Sequence, residues 1–147
     1  GMAVLLLVAS WVWRRLRRPA PPLSPMDAAL RDWDEARRAD IDDQALAYQL
    51  SWIFRGYLEA LDQWPARSRT SHEVLTWLQE DRAHPLDEDT LSASERILHA
   101  TDRLKFGGEG GGTLFFDRLE EDLHRVVRQT TEDATDDPNE PVEVHNV

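Results

Sequence analysis

Three stretches of the chain hold residue types at spacings that catalysis or ligand binding uses. His72-Glu73 opens like the HExxH helix of zinc proteases, where two histidines one turn apart hold the metal, but the second ligand position is Thr76. Glu121-Asp122-Leu123-His124 has the Glu-x-x-His spacing of di-iron bundles, which need a second copy and two further inward glutamates; neither is evident. Gly107-Gly108-Glu109-Gly110-Gly111-Gly112 precedes Thr113, and glycines ahead of a helix let backbone N–H groups wrap a phosphate. The lysine that a GxxxxGK[ST] loop needs before Thr113 is missing, however, and no strand pattern leads into Phe106. There is no GxSxG for a serine nucleophile, and the absence of cysteine removes disulfides, thiolate ligands and thiol nucleophiles. The sequence therefore points to a protein that is not an enzyme and that uses no cofactor and no metal.

Charge narrows the partners. The chain has 147 residues, 28 acidic against 17 basic, and a net charge of -11. Arg14, Arg15, Arg17 and Arg18 form one collar, and removing those four charges from -11 leaves -15 for the rest. Such a remainder repels a polyanion, because nucleic-acid affinity comes chiefly from Lys and Arg on phosphates, so no nucleic-acid partner is expected.

The elements that carry these residues begin with MAVLLLVASWVW at 2–13, an uncharged run followed at once by RRLRR. A signal peptide carries its charges before the apolar run; here the order is that of a transmembrane helix leaving the bilayer on the cytoplasmic side. Leu5, Leu6 and Leu7 are expected in lipid, Trp11 and Trp13 at the interface, and the four arginines at the inner leaflet. As a helix the run rises only ~20 Å, against a hydrocarbon core of ~30 Å, so the span is expected to continue upstream of Gly1. Pro19, Pro21, Pro22 and Pro25 then forbid continuous helix and form a short stiff stalk that holds the acidic domain off the headgroups.

Helical periodicity follows throughout, so the expected fold is all-α: the end of a transmembrane helix, a Pro-rich stalk, a compact bundle of about five helices and a disordered acidic tail. The expected divisions are 1–18, 19–25, 26–130 and 131–147. Ser24-Pro25 starts a helix carrying Met26, Ala29, Leu30 and Trp33. The stretch 42–61 has the clearest stripe, with Leu46, Leu50, Ile53, Phe54, Tyr57, Leu58 and Leu61 on one face. Tyr48 and Trp52 lie off that face, which predicts a central helix with neighbours on two sides, and Gly56 predicts a close helix approach. Thr70-Ser71-His72-Glu73 matches a capping box for a short helix with Val74, Leu75 and Leu78 inward and Trp77 beside them. After Pro85, 88–105 buries Leu91, Ile97, Leu98 and Leu104 until the glycine run stops it; 113–129 buries Phe115, Phe116, Leu119, Leu123, Val126 and Val127. Lys105 falls in a final helical turn, where the dipole favours positive charge, and Phe106 is placed to cover the end of the core.

Residues 51–73, with Arg55, Tyr57-Leu58, Pro65-Ala66 and the segment Thr70-Ser71-His72-Glu73, and then Ala100-Thr101-Asp102-Arg103-Leu104-Lys105-Phe106, resemble a known group of tails. These are the cytosolic tails of uncharacterised bacterial inner-membrane proteins encoded with MoxR-type AAA ATPases and von Willebrand factor A proteins, in clusters of the Bat aerotolerance kind. The likeness covers roughly 26–128, the preceding apolar helix and its collar; such tails continue with a small residue after Lys-Phe, where this chain has Gly107 and a glycine-rich insertion. The resemblance implies a single-pass membrane protein with its C-terminal domain in the cytoplasm, partnered by the bilayer and by a MoxR-type or von Willebrand factor A protein. It carries over no enzymatic residue. The leading expectation is a non-catalytic interaction or accessory module whose docking residues include Trp52, Trp77, Asp102, Lys105 and Phe106. The competing one is a small-molecule or nucleotide-binding domain with a pocket beside the 107–112 connection.

Overall fold

The protein, seen in a computed structural model, is described over residues 1–17 and 21–135, and every regular element among them is helical. They are α1 (Met2–Leu16), α2 (Pro25–Arg38), α3 (Asp43–Asp62), a 3-10 turn (Ala66–Ser68), α4 (Ser71–Thr76) continued by a π turn (Trp77–Asp81), α5 (Glu88–Lys105) and α6 (Thr113–Thr135).

The starts of the bundle helices follow from side chains that satisfy otherwise orphaned backbone N–H groups. Ser24 accepts from the Asp27 N–H at 3.1 Å, with Pro25 in the first turn. Asp42 accepts from Ala45 and Asp87 from Thr90, each at 2.8 Å. At α4 the capping box is reciprocal: Thr70 Oγ1 accepts from the Glu73 N–H at 3.2 Å, and Glu73 accepts from the Thr70 N–H at 3.3 Å. The Thr70 backbone bond holds the Glu73 carboxyl below its ordinary pKa. The end of α5 is equally local. Gly107 N–H bonds to the Leu104 carbonyl and Gly108 N–H to the Arg103 carbonyl, a Schellman stop that Gly107 permits through its φ of 78°.

The apolar stripe of α3 packs against α2, α5 and the 3-10 turn, so α3 is the central helix. Its Leu50, Phe54 and Leu58 are fully buried, and α5 and α6 add Ile97, Leu98, Leu123, Val126 and Val127 to the same core. Arg96 bonds Asp122 while Arg103 lies over Phe115, which sets α5 and α6 antiparallel. Trp33 Nε1 donates to Glu120 and Arg37 to Asp117, tying α2 to α6. Tyr57 ties α3 to α6: its hydroxyl lies 3.1 Å from the Val127 carbonyl and 2.5 Å from Thr130 Oγ1.

Four details differ from the sequence reading. The helix expected to give way to tail at Thr131 continues to Thr135, because Thr131 also reaches the Tyr57 hydroxyl at 3.1 Å; the rest of the acidic tail lies outside the described residues. Arg18, Pro19 and Ala20 of the collar and stalk lie outside them too. Pro25, assigned to the stalk, is the first residue of α2. The close approach expected at Gly56 is made by a side chain: the guanidinium of Arg67, from the 3-10 turn, lies where a Cβ would stand. Phe106 does not cover the core; the Schellman turn leaves it 84% exposed.

Tyr57→Phe should cost about 1–2 kcal/mol, since it strips a buried hydroxyl from its partners on α6 without changing shape. Urea unfolding of the variant and the parent protein measures the difference as a shift in midpoint at unchanged slope.

Candidate docking site

Ser51 and Arg55 sit one turn apart at the edge of the α3 stripe, where the helix turns towards the end of α5 and the start of α4. Arg55 is only 7% exposed. One guanidinium nitrogen donates to Ser51 Oγ at 3.0 Å and another to Ser71 Oγ at 2.8 Å, while the buried Nε has no partner. Lys105, the last residue of α5, donates from Nζ to the same Ser51 Oγ at 2.7 Å. Asp102 stands 3.9 Å from that ammonium, so two cations face one carboxylate. Burial lowers the Arg55 pKa, with the Asp102 charge opposing. Burial also lowers that of Lys105, reinforced by the neighbouring Arg55 charge and opposed by Asp102. The cluster thus holds one net positive charge in a chain of net charge -11.

An aromatic strip borders this cluster. Gln44 Nε2 donates to the Lys105 carbonyl at 2.8 Å, which sets Phe106 beside the first turn of α3. One turn on, Lys105 Nζ lies 5.3 Å from the centre of the Tyr48 ring; a further turn on, the Arg67 guanidinium covers Trp52 at 4.1 Å. Tyr48 is 50% exposed and Trp52 55%, so they face solvent and not the second neighbour helix expected from their position. Apart from α1 and Leu23, the exposed large apolar side chains among the described residues are Ile41, Tyr48, Trp52, Phe106 and Leu114. All five lie on the first half of α3 or on chain directly joined to it, since Asp43 accepts from the Gly112 N–H at 2.9 Å just ahead of Leu114. The same Asp43 carboxylate lies where a Cβ on Gly111 would stand. The Gly112 amide therefore meets the protein's own carboxylate.

Of the residues singled out from the sequence, Trp52, Lys105 and Phe106 come together around this strip, with Asp102 behind Lys105. Trp77 does not join them. The π turn carries it inward, where it stacks on Trp64 with ring centres 4.3 Å apart and planes 2° from parallel, and it is 9% exposed. At the other end of the chain, Leu5, Leu6, Leu7, Trp11 and Trp13 are all well exposed. Arg15 and Arg17 lie over the Trp11 and Trp13 rings at 5.1 Å and 4.6 Å, and Arg14 shares the same exposed last turn.

A second feature is an open groove of about 650 Å3 between α5 and α6, lined by Arg96, His99, Arg103, Phe115 and Arg118 among others. No three His, Asp or Glu side chains among the described residues converge as a metal site would require. Comparison with known proteins brings no match: no family model fits the chain, and no curated protein or solved structure is similar to it.

The Lys105 shift has a pH signature. Its folded pKa lies below the ordinary 10.5, so between the two values the unfolded chain binds more protons and stability rises with pH. Below the folded pKa the full cost of burying the ammonium is present. Relative to Lys105→Met, which cannot titrate, the parent protein should therefore gain stability as pH climbs towards 10.5. Paired urea titrations across that window measure the gain; a flat difference would mean that Lys105 is not held in its buried position.

Proposed function

We propose that this chain is a membrane-anchored, non-catalytic interaction or accessory protein of the bacterial inner membrane. In this reading α1 is the lipid-embedded end of a transmembrane helix and the bundle is presented to a protein partner in the cytoplasm. One observation carries it: every residue of α1 is exposed, and none of its leucines, valines or tryptophans is folded into the bundle core. A contiguous apolar surface of that size is costly in water and marks a membrane or protein contact. The arginines stacked on Trp11 and Trp13 suit the lipid interface, where amphipathic rings and cationic heads both find favourable surroundings. No described helix is long and apolar enough to cross a membrane, and α1 with its 15 residues rises only ~22 Å. The partner side rests on the strip at Tyr48, Trp52 and Phe106, and the resemblance in the sequence names MoxR-type ATPases and von Willebrand factor A proteins as its class.

Flotation with lipid vesicles tests the anchor. The parent protein should rise with the vesicles, and replacing Leu5, Leu6 and Leu7 with Glu should leave it at the bottom. Replacing Arg14, Arg15 and Arg17 with Gln should weaken binding to anionic vesicles by about 1 kcal/mol per residue and leave neutral vesicles unaffected. Parent protein remaining in the aqueous fraction would remove the anchor from the proposal.

The groove between α5 and α6 favours a second reading, a ligand-binding domain with its pocket beside the glycine connection, because Arg103 and Phe115 reach from it to Gly110. Thermal-shift measurements against nucleotides and phosphorylated metabolites separate the two readings. A true ligand at a hundred times its Kd should stabilise by about 2.7 kcal/mol, whereas the interaction-module reading expects no shift.

A further inference from the structure

We propose that Ser71 is a phosphorylation site and that the buried Arg55 is its receiver. One terminal nitrogen of Arg55 donates to Ser51 Oγ at 3.0 Å and the other to Ser71 Oγ at 2.8 Å. The Nε that shares an edge with this second nitrogen is buried and has no acceptor among the described residues. Two other arginines show how that edge is used elsewhere in the chain. Arg82 is 6% exposed, as buried as Arg55, and gives Nε and a terminal nitrogen to the two oxygens of Asp62 at 3.0 and 3.5 Å. Arg96 holds Asp122 in the same way, at 3.1 and 2.8 Å. Such a fork matches a carboxylate or a phosphate, whose oxygens take both donors at once. On Arg55 the single oxygen of Ser71 takes one donor and leaves the other.

Of the hydroxyls around the start of α4, this one can be esterified without loss. Ser68 Oγ donates to the Pro65 carbonyl, and Thr70 Oγ1 donates to the Glu73 carboxylate inside the capping box, so a phosphate on either breaks a bond that holds the turn. Ser71 Oγ only accepts, and its own proton serves no bond among the described residues. A protein kinase would transfer the phosphoryl group from a nucleoside triphosphate: the O–P bond forms at Oγ, the bond to the leaving diphosphate breaks, and the hydroxyl proton departs. Ser71 is part-exposed, residues 67–70 are exposed, and Arg69 and Thr70 have extended backbone, the form in which a kinase takes up a segment. Nearby carboxylates are already engaged. Glu73 accepts from the Thr70 N–H and lies 3.4 Å from Arg69, and Asp102 stands 3.9 Å from Lys105. Asp102 attracts Arg55 through space but accepts from none of its nitrogens. A phosphate brings close to two negative charges and three acceptor oxygens, enough to fill the fork and tie the start of α4 to α3.

Phosphoserine placed at position 71 of the full chain by genetic encoding gives the modified protein directly. By phosphorus NMR its phosphate should titrate at least about one pH unit below the ordinary ~6, because a facing cation favours the doubly charged form. Each unit of depression makes the folding constant about tenfold larger above pH ~6, and that gain is lost as pH falls through the folded value. Urea midpoints on either side of the window measure it. The Arg55 Nε–H proton resonance should move downfield on phosphorylation, and Arg55→Gln should return the phosphate to ~6. The resonance is read in the unsubstituted chain, so the test stands even where Arg55→Gln does not fold. Inorganic phosphate added to the unmodified chain should leave the resonance in place. Phosphopeptide mapping of the chain isolated from its own cells, growing and starved, should find phosphate on Ser71 and not on Ser68 or Thr70.

A phosphate that titrates at ~6, an unmoved Nε–H resonance or a lowered urea midpoint would overturn the proposal. So would the same response to inorganic phosphate without the ester, which would make the corner a site for a free anion, and so would the absence of phosphate from Ser71 in both kinds of cell.

Discussion

Leu50, Phe54 and Leu58 of α3 are stripped entirely of water, and the rest of the bundle is arranged to bring that about. A domain of this size can build one core, and burial of apolar area, at about 25 cal/mol per Å2, is the main driving force that opposes chain entropy. A single helix whose apolar face spreads over more than a narrow stripe must be covered from several directions. Here α2 covers one flank and α5 the other, and α6 closes over both, pinned to α3 at Tyr57. The polar ties across the bundle, such as Trp33 to Glu120 and Arg96 to Asp122, set how the helices align. The apolar burial decides that they associate.

The same constraint creates the candidate site. At the edge of α3 the apolar stripe gives way to Ser51 and Arg55 just where the end of α5 and the start of α4 converge. Desolvating a guanidinium costs several kcal/mol unless its donors are used, and two of its nitrogens find hydroxyl oxygens there. Lys105 then competes for one of those hydroxyls, so the corner is well ordered but electrostatically incomplete. A buried nitrogen without an acceptor is unusual in a folded core.

Charge is distributed to match. The apolar helix ends in arginines, the bundle is acidic, and proline-rich chain stands between them. In the proposed arrangement the collar is drawn to an anionic leaflet and the bundle is pushed away from it, so tether and repulsion together would hold the docking strip in the aqueous phase within reach of a membrane-adjacent partner. The short Debye length at physiological salt, ~8 Å, makes the stalk necessary to this arrangement: electrostatic repulsion alone would act only close to the surface.

Much of this was legible in the residues. Capping signals at Ser24 and Thr70 and the glycine stop after Phe106 are local chemistry, acting over three or four residues; the caps at Asp42 and Asp87 act over the same range but were seen only in the structure. The 3.6-residue spacing of Leu46, Leu50, Phe54 and Leu58 likewise needs nothing distant to identify a buried face. Tertiary structure alone decided which residues outside the stripes became structural. Ser51 and Lys105 are 54 positions apart, and Arg67 reaches Gly56 and Trp52 only because the chain reverses after Gln63, which sits at a left-handed φ of 58°. Trp52 and Trp77 are equivalent as docking candidates in the sequence, yet the π turn that begins at Trp77 sends that ring to the core while Trp52 stays in water. Periodicity reports the direction of a side chain on its own helix; whether another segment then covers it depends on where the chain returns, and that is a property of the whole packed molecule.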